Sequence, residues 1–164
     1  MSERVRMAAG RGAAAVGSRF GGPAESAGFL LWQVASAWQR AVRAVLDDLD
    51  LTHAQFVLLS SVVWLEAESP DVPVTQTLVA THTATDAVMT SEVMRTLERK
   101  GYVERRAHPD DARAKRLVST ATGRRLVRRA LPLVEAVDAQ FFGTPTPALQ
   151  SLGQRLSVGN RANV

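Results

Sequence analysis

Basic side chains are concentrated in one short stretch of the sequence. Within twelve residues lie four arginines and one lysine: Arg105, Arg106, Arg113, Lys115 and Arg116. Guanidinium and ammonium groups donate hydrogen bonds and accept none, so their chemistry is the binding of phosphates and carboxylates. So many like charges repel one another unless a polyanion or solvent screens them. The stretch therefore predicts contact with a nucleic-acid backbone, and the alternative is a charged, solvated hairpin.

A second polar group lies just before this basic stretch, between Asp86 and Lys100. On a helix, the apolar side chains of Val93, Met94 and Leu97 would share one face and point to the core. The opposite face would then carry small, hydrogen-bonding and cationic residues: Ala87, Thr90, Ser91, Glu92 and Arg95. A helix that enters a DNA major groove needs such a face, because base edges offer donors and acceptors.

Two charged residues on this face could bind bases directly. Arg95 could reach the N7 and O6 atoms of guanine, or a phosphate. The carboxylate of Glu92 could accept a hydrogen bond from the N4 amine of cytosine. It could instead form an ion pair with Arg95, three residues further along the same helix. The sequence leaves both interpretations of Glu92 open.

Capping and turn signals predict the elements that position these groups. Thr75 can cap a first helix and Asp86 a second, because each side-chain oxygen can accept from the free amides of a first turn. The poorly helical segment Thr81–Thr85 predicts the turn between them. Gly101 predicts the end of the second helix, and the strand-like runs YVERR and RLVS flank the turn HPDDARAK. Helix, helix, strand, turn and strand, in this order, indicate a winged helix-turn-helix.

This segment resembles the MarR family of bacterial transcriptional regulators. The matching motifs are VTQTLVA, SEVMRTLERKGYVER, HPDDARAK and the TATG opening of the next helix. The resemblance covers the chain from Phe29 to its C-terminus and is specific between Val74 and Gly123. Two residues depart from the family pattern. Ser119 stands in place of the usual leucine, and Glu92 in place of glutamine or a basic residue.

The resemblance implies roles for individual residues. In the family, the wing arginine of the D-x-R motif enters the minor groove and the aspartate helps to hold the wing, which assigns these roles to Arg113 and Asp111. The full set of predicted DNA contacts is Thr75, Ala87, Thr90, Ser91, Glu92, Arg95, Arg105, Arg106, Asp111, Arg113, Lys115 and Arg116. Small aromatic or phenolic ligands often bind family members in a cleft beside the dimer helices. The aromatic side chains that would line it are Trp32, Trp38, Phe56 and Trp64, and the alternative for these is plain core.

The first part of the chain is predicted to be a tail followed by two helices. The Gly-, Ala- and Ser-rich segment Met1–Ala27 predicts disorder, and its Arg-rich, acid-poor composition offers a transit peptide as the alternative. A long amphipathic helix is predicted over Gly28–Asp50. Thr52 is predicted to cap a second helix that is apolar on nearly all sides, and therefore central and buried. Two prolines make Ser69–Pro73 a loop.

The last part of the chain predicts a helix over Thr122–Phe142 and a short helix over Pro147–Leu156. Pro132 is predicted either to kink the first of these helices or to lengthen one of its turns. The apolar stripes of the first and the last two helices exceed what one small head can cover. A partner subunit is therefore predicted, with a monomer whose terminal helices fold back as the alternative.

The predicted fold is mostly α with a small β-hairpin wing. One domain is predicted over residues 28–157, with dimerisation helices over 28–50 and 122–157 and a winged helix-turn-helix head over 52–121. A flexible C-terminus is predicted over 158–164.

Neither a catalytic site nor a metal site is predicted. The histidines His53, His82 and His108 fall in separate elements, without H-x-x-x-H or H-E-x-x-H spacing. The sequence has no G-x-S-x-G, P-loop or G-x-G-x-x-G motif, so no enzyme and no cofactor is predicted. It has no cysteine, which excludes disulfides and thiolate metal sites. No run reaches the roughly 18 apolar residues of a membrane span, and a cytoplasmic location is predicted.

These observations together predict a DNA-binding function. The net charge of +4 fits a polyanion partner. We expect a homodimeric, sequence-specific regulator of double-stranded DNA, a repressor that acts by occlusion and is released by a small aromatic ligand. Its two recognition helices would enter successive major grooves about 34 Å apart on a pseudo-palindromic operator. The alternative is a nonspecific architectural DNA-binding protein.

Overall fold

Helices make up most of the described part of the chain, which comprises residues 12–109, 111, 114–143, 147 and 149–154 of a computed structural model. The elements are α1 (Ala27–Leu46), α2 (His53–Glu68), α3 (Gln76–Thr83), α4 (Ala87–Arg99), β1 (Val103–Ala107), β2 (Lys115–Ser119) and α5 (Ala121–Phe142). Short 3₁₀ helices occupy Pro23–Glu25 and Asp47–Leu49. Residues 147 and 149–154 are helical as well. The prediction of a mostly α fold with one β-hairpin is confirmed.

The chain divides after Ala41 into two compact units. In the first unit, residues 12–15 form a helical turn, a 3₁₀ turn follows, and α1 begins at Ala27. Within the tail predicted over Met1–Ala27, alanines favour the helical turn and Pro23 favours the start of the 3₁₀ turn. Residues 1–11 of the predicted tail lie outside the described residues.

Helix α2 is the centre of the second unit. Leu58, Leu59 and Val62 are fully buried, and α2 packs against α3, α4, β2 and α5. Complete burial of such a side chain stabilises the fold by about 1.5–3 kcal/mol. The prediction of a central helix is confirmed, although α2 is not buried on every side, because Trp64 is 62% exposed.

The predicted helix caps are all present. Thr52 forms a capping box: its Oγ1 accepts from the Gln55 amide at 3.2 Å, and Gln55 Oε1 accepts from the Thr52 amide at 3.3 Å. Thr75 Oγ1 accepts from the Leu78 amide at 3.2 Å, and Asp86 Oδ1 accepts from the Met89 amide at 2.8 Å. Each such cap contributes about 1 kcal/mol to the stability of its helix.

The turn between α3 and α4 is shorter than the predicted Thr81–Thr85. Helix α3 continues through Thr83, whose hydroxyl donates to the Val79 carbonyl at 2.8 Å and is thus satisfied within the helix. The chain reverses at Ala84, which adopts a left-handed φ of 52°. Thr85 then joins the two helices, because its hydroxyl lies 2.8 Å from the hydroxyls of both Thr83 and Thr90.

Strands β1 and β2 form an antiparallel hairpin, and we call residues 103–119 the wing. Val103 is opposite Ser119 and Ala107 is opposite Lys115. The amide of Leu117 donates to the Val74 carbonyl at 2.7 Å, which fixes the wing to the segment before α3. Val103 and Leu117 are buried, so one face of the wing belongs to the core.

The start of α5 is fastened to the base of the wing. Thr120 caps α5, its amide donates to the Tyr102 carbonyl at 3.0 Å, and its hydroxyl donates to the Gly101 carbonyl at 2.8 Å. Gly101, which follows the end of α4, has a left-handed φ of 70°, as predicted. Gly123 lies against Tyr102 so closely that an added Cβ would be 3.0 Å from its carbonyl carbon and nearer still to its oxygen.

Helix α5 then runs on through Pro132 and ends at Phe142, before Gly143. Pro132 has no amide to donate, which leaves the Arg128 carbonyl without its usual intrahelical donor. Of the helices in the described ranges, none combines the length and the apolar composition needed to cross a membrane.

Candidate nucleic-acid interface

Helix α4 has one buried side and one exposed side. Thr90, Met94 and Leu97 are completely buried, at spacings of four and three residues. At 3.6 residues per turn, the side opposite them carries Val88, Glu92, Arg95 and Arg99, all of which are exposed. Ala87 is exposed and Ser91 is half-buried at the edge of this side. The exposed side of α4 thus offers an apolar group, a carboxylate and two guanidinium groups.

The burial of Thr90 contradicts its prediction as a DNA contact. Its side chain is completely buried, and its hydroxyl donates to the Asp86 carbonyl at 2.7 Å and meets the Thr85 hydroxyl at 2.8 Å. A hydroxyl satisfied in this way can occupy a core position. The spacing of Thr90, Met94 and Leu97 indicates the buried side, whereas the polar side chain suggested the exposed one.

Arg95 and Glu92 do not pair with each other. Arg95 Nη2 donates to Ser91 Oγ at 3.0 Å, one turn earlier in α4. No ion pair joins Glu92 to Arg95, both of which belong to the described residues. The ion-pair interpretation of Glu92 is therefore wrong for this structure, and its carboxylate stays exposed to solvent.

Arg105 is held inside the head. Its guanidinium donates to Gln76 Oε1 at 3.3 Å and lies 3.6 Å from the Glu98 carboxylate. The side chain thus links β1 to α3 and α4. Thr75, another predicted DNA contact, already accepts from the Leu78 amide through its hydroxyl. Both groups retain hydrogen-bonding capacity, because Arg105 has five N–H donors and a threonine hydroxyl can also donate.

The other basic residues of the wing are more accessible. Lys115 and Arg106 are exposed, and Arg106 is paired with Glu104 at 2.8 Å. Arg116 is half-buried and lies opposite Arg106 in the hairpin. Its buried Nε has no hydrogen-bond partner among the described residues. Like charges placed opposite each other in a hairpin repel, so an anion bound to both would stabilise the wing.

A cleft of about 640 Å³ borders this side of the wing. Four arginines and two acidic residues contribute to its lining: Arg106, Arg116, Arg124, Arg128, Glu66 and Asp71. Glu66 is already engaged, since its carboxylate accepts from the amide of Ser119 at 2.9 Å and from its hydroxyl. The cleft therefore has a surplus of positive charge suited to anions such as phosphates.

Glu66, Ser119 and Arg124 form a junction that the sequence did not predict. Ser119 is buried, donates to Glu66 twice, and accepts from Arg124 at its carbonyl and, at 3.1 Å, at its hydroxyl. The junction joins α2, β2 and α5. Glu66 and Ser119 are 53 residues apart in the sequence, so spacing could not have paired them. The serine at position 119, where the family pattern has leucine, is the sequence signal that could have indicated a polar contact there.

The tip of the wing is described only in part. The carbonyl of Asp111 accepts from the Ala114 amide at 3.1 Å, which closes the turn. Arg113, predicted to enter the minor groove, lies outside the described residues.

The four aromatic residues assigned to ligand binding differ in exposure. In the first unit, Trp32 is 65% exposed and stacks on Phe29 with ring centroids 6.1 Å apart, and Trp38 is half-buried. In the second unit, Trp64 is exposed and Phe56 is buried in the core. Phe56 is therefore a core residue, the alternative that the sequence offered for it.

The histidines do not converge. His82 is exposed on α3, and His53 is half-buried at the start of α2. Burial lowers the pKa of His53 below its usual value, Arg43 lowers it further, and Asp138 acts in the opposite direction. Among the described residues, no group of three or more His, Asp or Glu side chains could hold a metal ion.

Comparison with known proteins gives a consistent assignment. The sequence profile of the MarR family matches residues 51–115. The HTH-type transcriptional regulator YdcH of Bacillus subtilis is 47% identical over 125 residues, which cover 76% of this chain and 84% of YdcH. The HTH-type transcriptional repressor Rv2887 of Mycobacterium tuberculosis is 31% identical over 129 residues, covering 79% of this chain and 88% of Rv2887.

A solved structure agrees with these relatives. CouR from Rhodococcus jostii RHA1, bound to p-coumaroyl-CoA, superposes with a TM-score of 0.66 at 26% identity, covering 82% of this chain and 90% of CouR. The chain therefore belongs to the MarR family of helix-turn-helix transcriptional regulators, which bind DNA.

Proposed function

We propose that this regulator is a homodimeric repressor that recognises a pseudo-palindromic operator. The observation that carries the proposal is the polarity of α4, whose apolar side is packed into the head while Glu92, Arg95 and Arg99 are exposed opposite it. The relative Rv2887, at 31% identity, is a repressor by name, which supports the sign of regulation. Such a repressor works in the cytoplasm, where bacterial DNA lies.

Base contacts are assigned to the exposed side of α4. Among the described residues, Arg95 is bound only to the neutral hydroxyl of Ser91, a partner that guanine N7 and O6 can replace. Glu92 is free of Arg95 and can accept from cytosine N4. Ala87 and Ser91, both small, let the start of the helix approach the groove floor.

Backbone contacts are assigned to the wing and to the start of α3. Lys115, Arg106 and Arg116 face solvent or the cationic cleft and suit phosphates. Arg105 and Thr75 complete this set once they add a phosphate to their present partners. Arg113 is proposed to enter the minor groove and Asp111 to hold the wing, on the strength of the family motif alone.

Dimerisation is supported by the apolar side chains that a single chain leaves exposed. They include Phe29, Leu30, Leu31 and Trp32 in α1, Leu131, Leu133 and Phe141 in α5, and Leu149 and Leu152 near the C-terminus. Exposed apolar side chains grouped within one element, as they are in α1 and separately in α5, usually mark an interface. A two-fold axis would present two α4 helices to major grooves about 34 Å apart.

Release by a small aromatic ligand is the last part of the proposal. CouR, at 26% identity, binds p-coumaroyl-CoA, an aromatic thioester. Trp32 and Trp38 in the first unit, and independently Trp64 in the second unit, offer aromatic surface for such a ligand, since none of them is buried. Phe56 is left out of the site because it is part of the core.

Selection of bound sequences from random duplex DNA tests the proposal. We expect one enriched pseudo-palindrome with half-sites about 10 base pairs apart, bound at least about a thousand-fold more tightly than bulk DNA at the same salt concentration. An architectural protein would instead bind all duplexes with similar affinity. Equal affinity for the enriched and the random duplex would therefore overturn the proposal.

The wing arginine can be tested separately on the selected operator. Arg113→Ala should weaken operator binding by more than about 1 kcal/mol, which is about five-fold in Kd, because a minor-groove cation is lost. Arg125→Ala is the matched control, since Arg125 is an exposed arginine on α5 that donates to Thr122. Fluorescence anisotropy at fixed salt gives both values. Equal affinities of R113A and R125A would remove Arg113 from the interface.

A further inference from the structure

We propose that Val88 reads the methyl group of a thymine in each operator half-site. The inference rests on the proposed function and adds to it a base type and a residue that reads it. Val88 was not among the predicted contacts. The side chain of Val88 is 70% exposed. Among the large apolar side chains of the described residues, only Val16 is more exposed.

The stability of the head does not account for a valine at this position. An exposed side chain contributes little burial energy, and valine is a poorer helix former than alanine or the long polar residues. Val88 is the second residue of α4, directly after Ala87 and two residues after the Asp86 cap. Neither packing nor helix formation favours it there, whereas a contact outside the subunit would make use of its apolar chemistry.

The position of Val88 on α4 directs it toward the groove. It shares one line of side chains with Glu92 and Arg95, at spacings of four and three residues, and this line is opposite the buried Thr90 and Met94. Helices of this class approach base edges with their N-terminal residues. Val88 is the first exposed residue of the line and therefore approaches the bases where the helix enters.

The chemistry of valine selects its target. Valine has neither donor nor acceptor, and the apolar group on the major-groove edge of a base pair is the C5-methyl of thymine. Glu92 is one turn further along, about 6 Å by the helical rise, which is close to two base steps of about 3.4 Å. We therefore expect the thymine within about two base pairs of the cytosine that Glu92 accepts from.

Thymine-to-uracil substitution isolates this contact, because deoxyuridine lacks only the methyl group. Each thymine of the selected operator is replaced in turn, and Kd is measured for the wild-type protein and for Val88→Ala. Wild type should lose about four-fold in affinity per half-site at one symmetric position, the value for one buried methyl group. V88A should bind the thymine operator about four-fold or more weakly per half-site and should not distinguish uracil from thymine at that position.

Two controls keep the result interpretable. Val72→Ala removes an exposed valine from the loop before α3 and should respond to uracil as wild type does. Thermal unfolding of V88A should match or exceed wild type, because alanine favours the helix.

Two outcomes overturn the inference while leaving the proposed function intact. One is equal sensitivity of wild type and V88A to uracil at every position. The other is a uniform loss of affinity by V88A for operator and random duplex alike, which would indicate a backbone contact. A failure to select any preferred sequence would instead refute the proposed function itself.

Discussion

Gly123 shows how one residue without a side chain determines a close contact. It lies in the first turn of α5, where an added Cβ would come within 3.0 Å of the Tyr102 carbonyl carbon and closer to the oxygen. That oxygen cannot move away freely, because it accepts from the Thr120 amide at 3.0 Å. The absence of a side chain at this position is therefore a requirement of packing.

Gly123→Ala should destabilise the protein by about 1–3 kcal/mol, the usual effect of inserting a group into a packed site. Urea denaturation measures this change in the free energy of unfolding. Gly28→Ala is the control, since nothing lies within 4 Å of a Cβ at Gly28 in α1. An unchanged midpoint for G123A would show that α5 and Tyr102 can separate without loss.

His53 should make stability depend on pH. Its pKa is lowered in the folded protein from the usual 6.5, by burial first and by Arg43 second. As pH falls through 6.5, the unfolded chain therefore takes up the proton before the folded chain does. The free energy of unfolding should thus fall between pH 6.5 and the lowered pKa, and this contribution should be constant above pH 6.5.

Urea denaturation of wild type and His53→Gln at pH 7.5 and about 5.5 tests this expectation, because the variant cannot bind the proton. H53Q should lose less stability than wild type on acidification. His82→Gln removes an exposed histidine from α3 and serves as the matched control. The proposed role of His53 would be contradicted if H53Q, like H82Q, lost as much free energy of unfolding on acidification as wild type does.

Among the elements, the meeting of α2, β2 and α5 depends on one carboxylate. Glu66 accepts from both donors of the buried Ser119, whose carbonyl and hydroxyl in turn accept from Arg124. Glu66→Ala should cost about 1–3 kcal/mol, because it leaves buried donors unsatisfied. Glu68→Ala, an exposed glutamate on the same helix, should stay within about 0.5 kcal/mol of wild type. Equal stability of E66A and E68A would contradict the importance of the junction.

The elements that sequence predicts well are those with local signals. Thr52, Thr75 and Asp86 each act on an amide three residues away, so their roles can be read from spacing alone. Thr90 lies in the core although its hydroxyl favours an exposed position, because its spacing from Met94 puts it on the buried side of α4. The turn before α4 begins later than Thr81, because the bond of the Thr83 hydroxyl to the Val79 carbonyl makes this threonine acceptable in a helix.

Contacts between distant segments could not be predicted in this way. Glu66 and Ser119, or Arg105 and Gln76, are brought together only by the packing of whole elements. For the candidate interface, the basic wing and the exposed Glu92 and Arg95 follow from the sequence. Val88 does not, because exposure of an apolar side chain is a property of the folded surface.

At the scale of the whole molecule, the apolar surface of α5 should control assembly. Leu131 and Leu133 are both about two-fifths exposed in the single chain. Leu133→Glu should weaken the proposed dimer by about ten-fold or more, because a charge would be transferred into an apolar interface. Light scattering after size-exclusion chromatography over a range of concentrations measures this effect. The same change at Val72, an exposed loop valine, should leave the dimer intact, and an L133E dimer of wild-type strength would exclude Leu133 from the interface.

The start of α5 is hydrogen-bonded to the Tyr102 carbonyl, so a displacement of the far end of α5 would rotate the helix about the base of the wing. The helix has 22 residues and is therefore about 33 Å long. A sideways displacement of about 3 Å at Phe142 corresponds to a rotation of about 5° at Thr120. Because Thr120 holds both Gly101 and Tyr102, that rotation would act on the residues from which the hairpin begins.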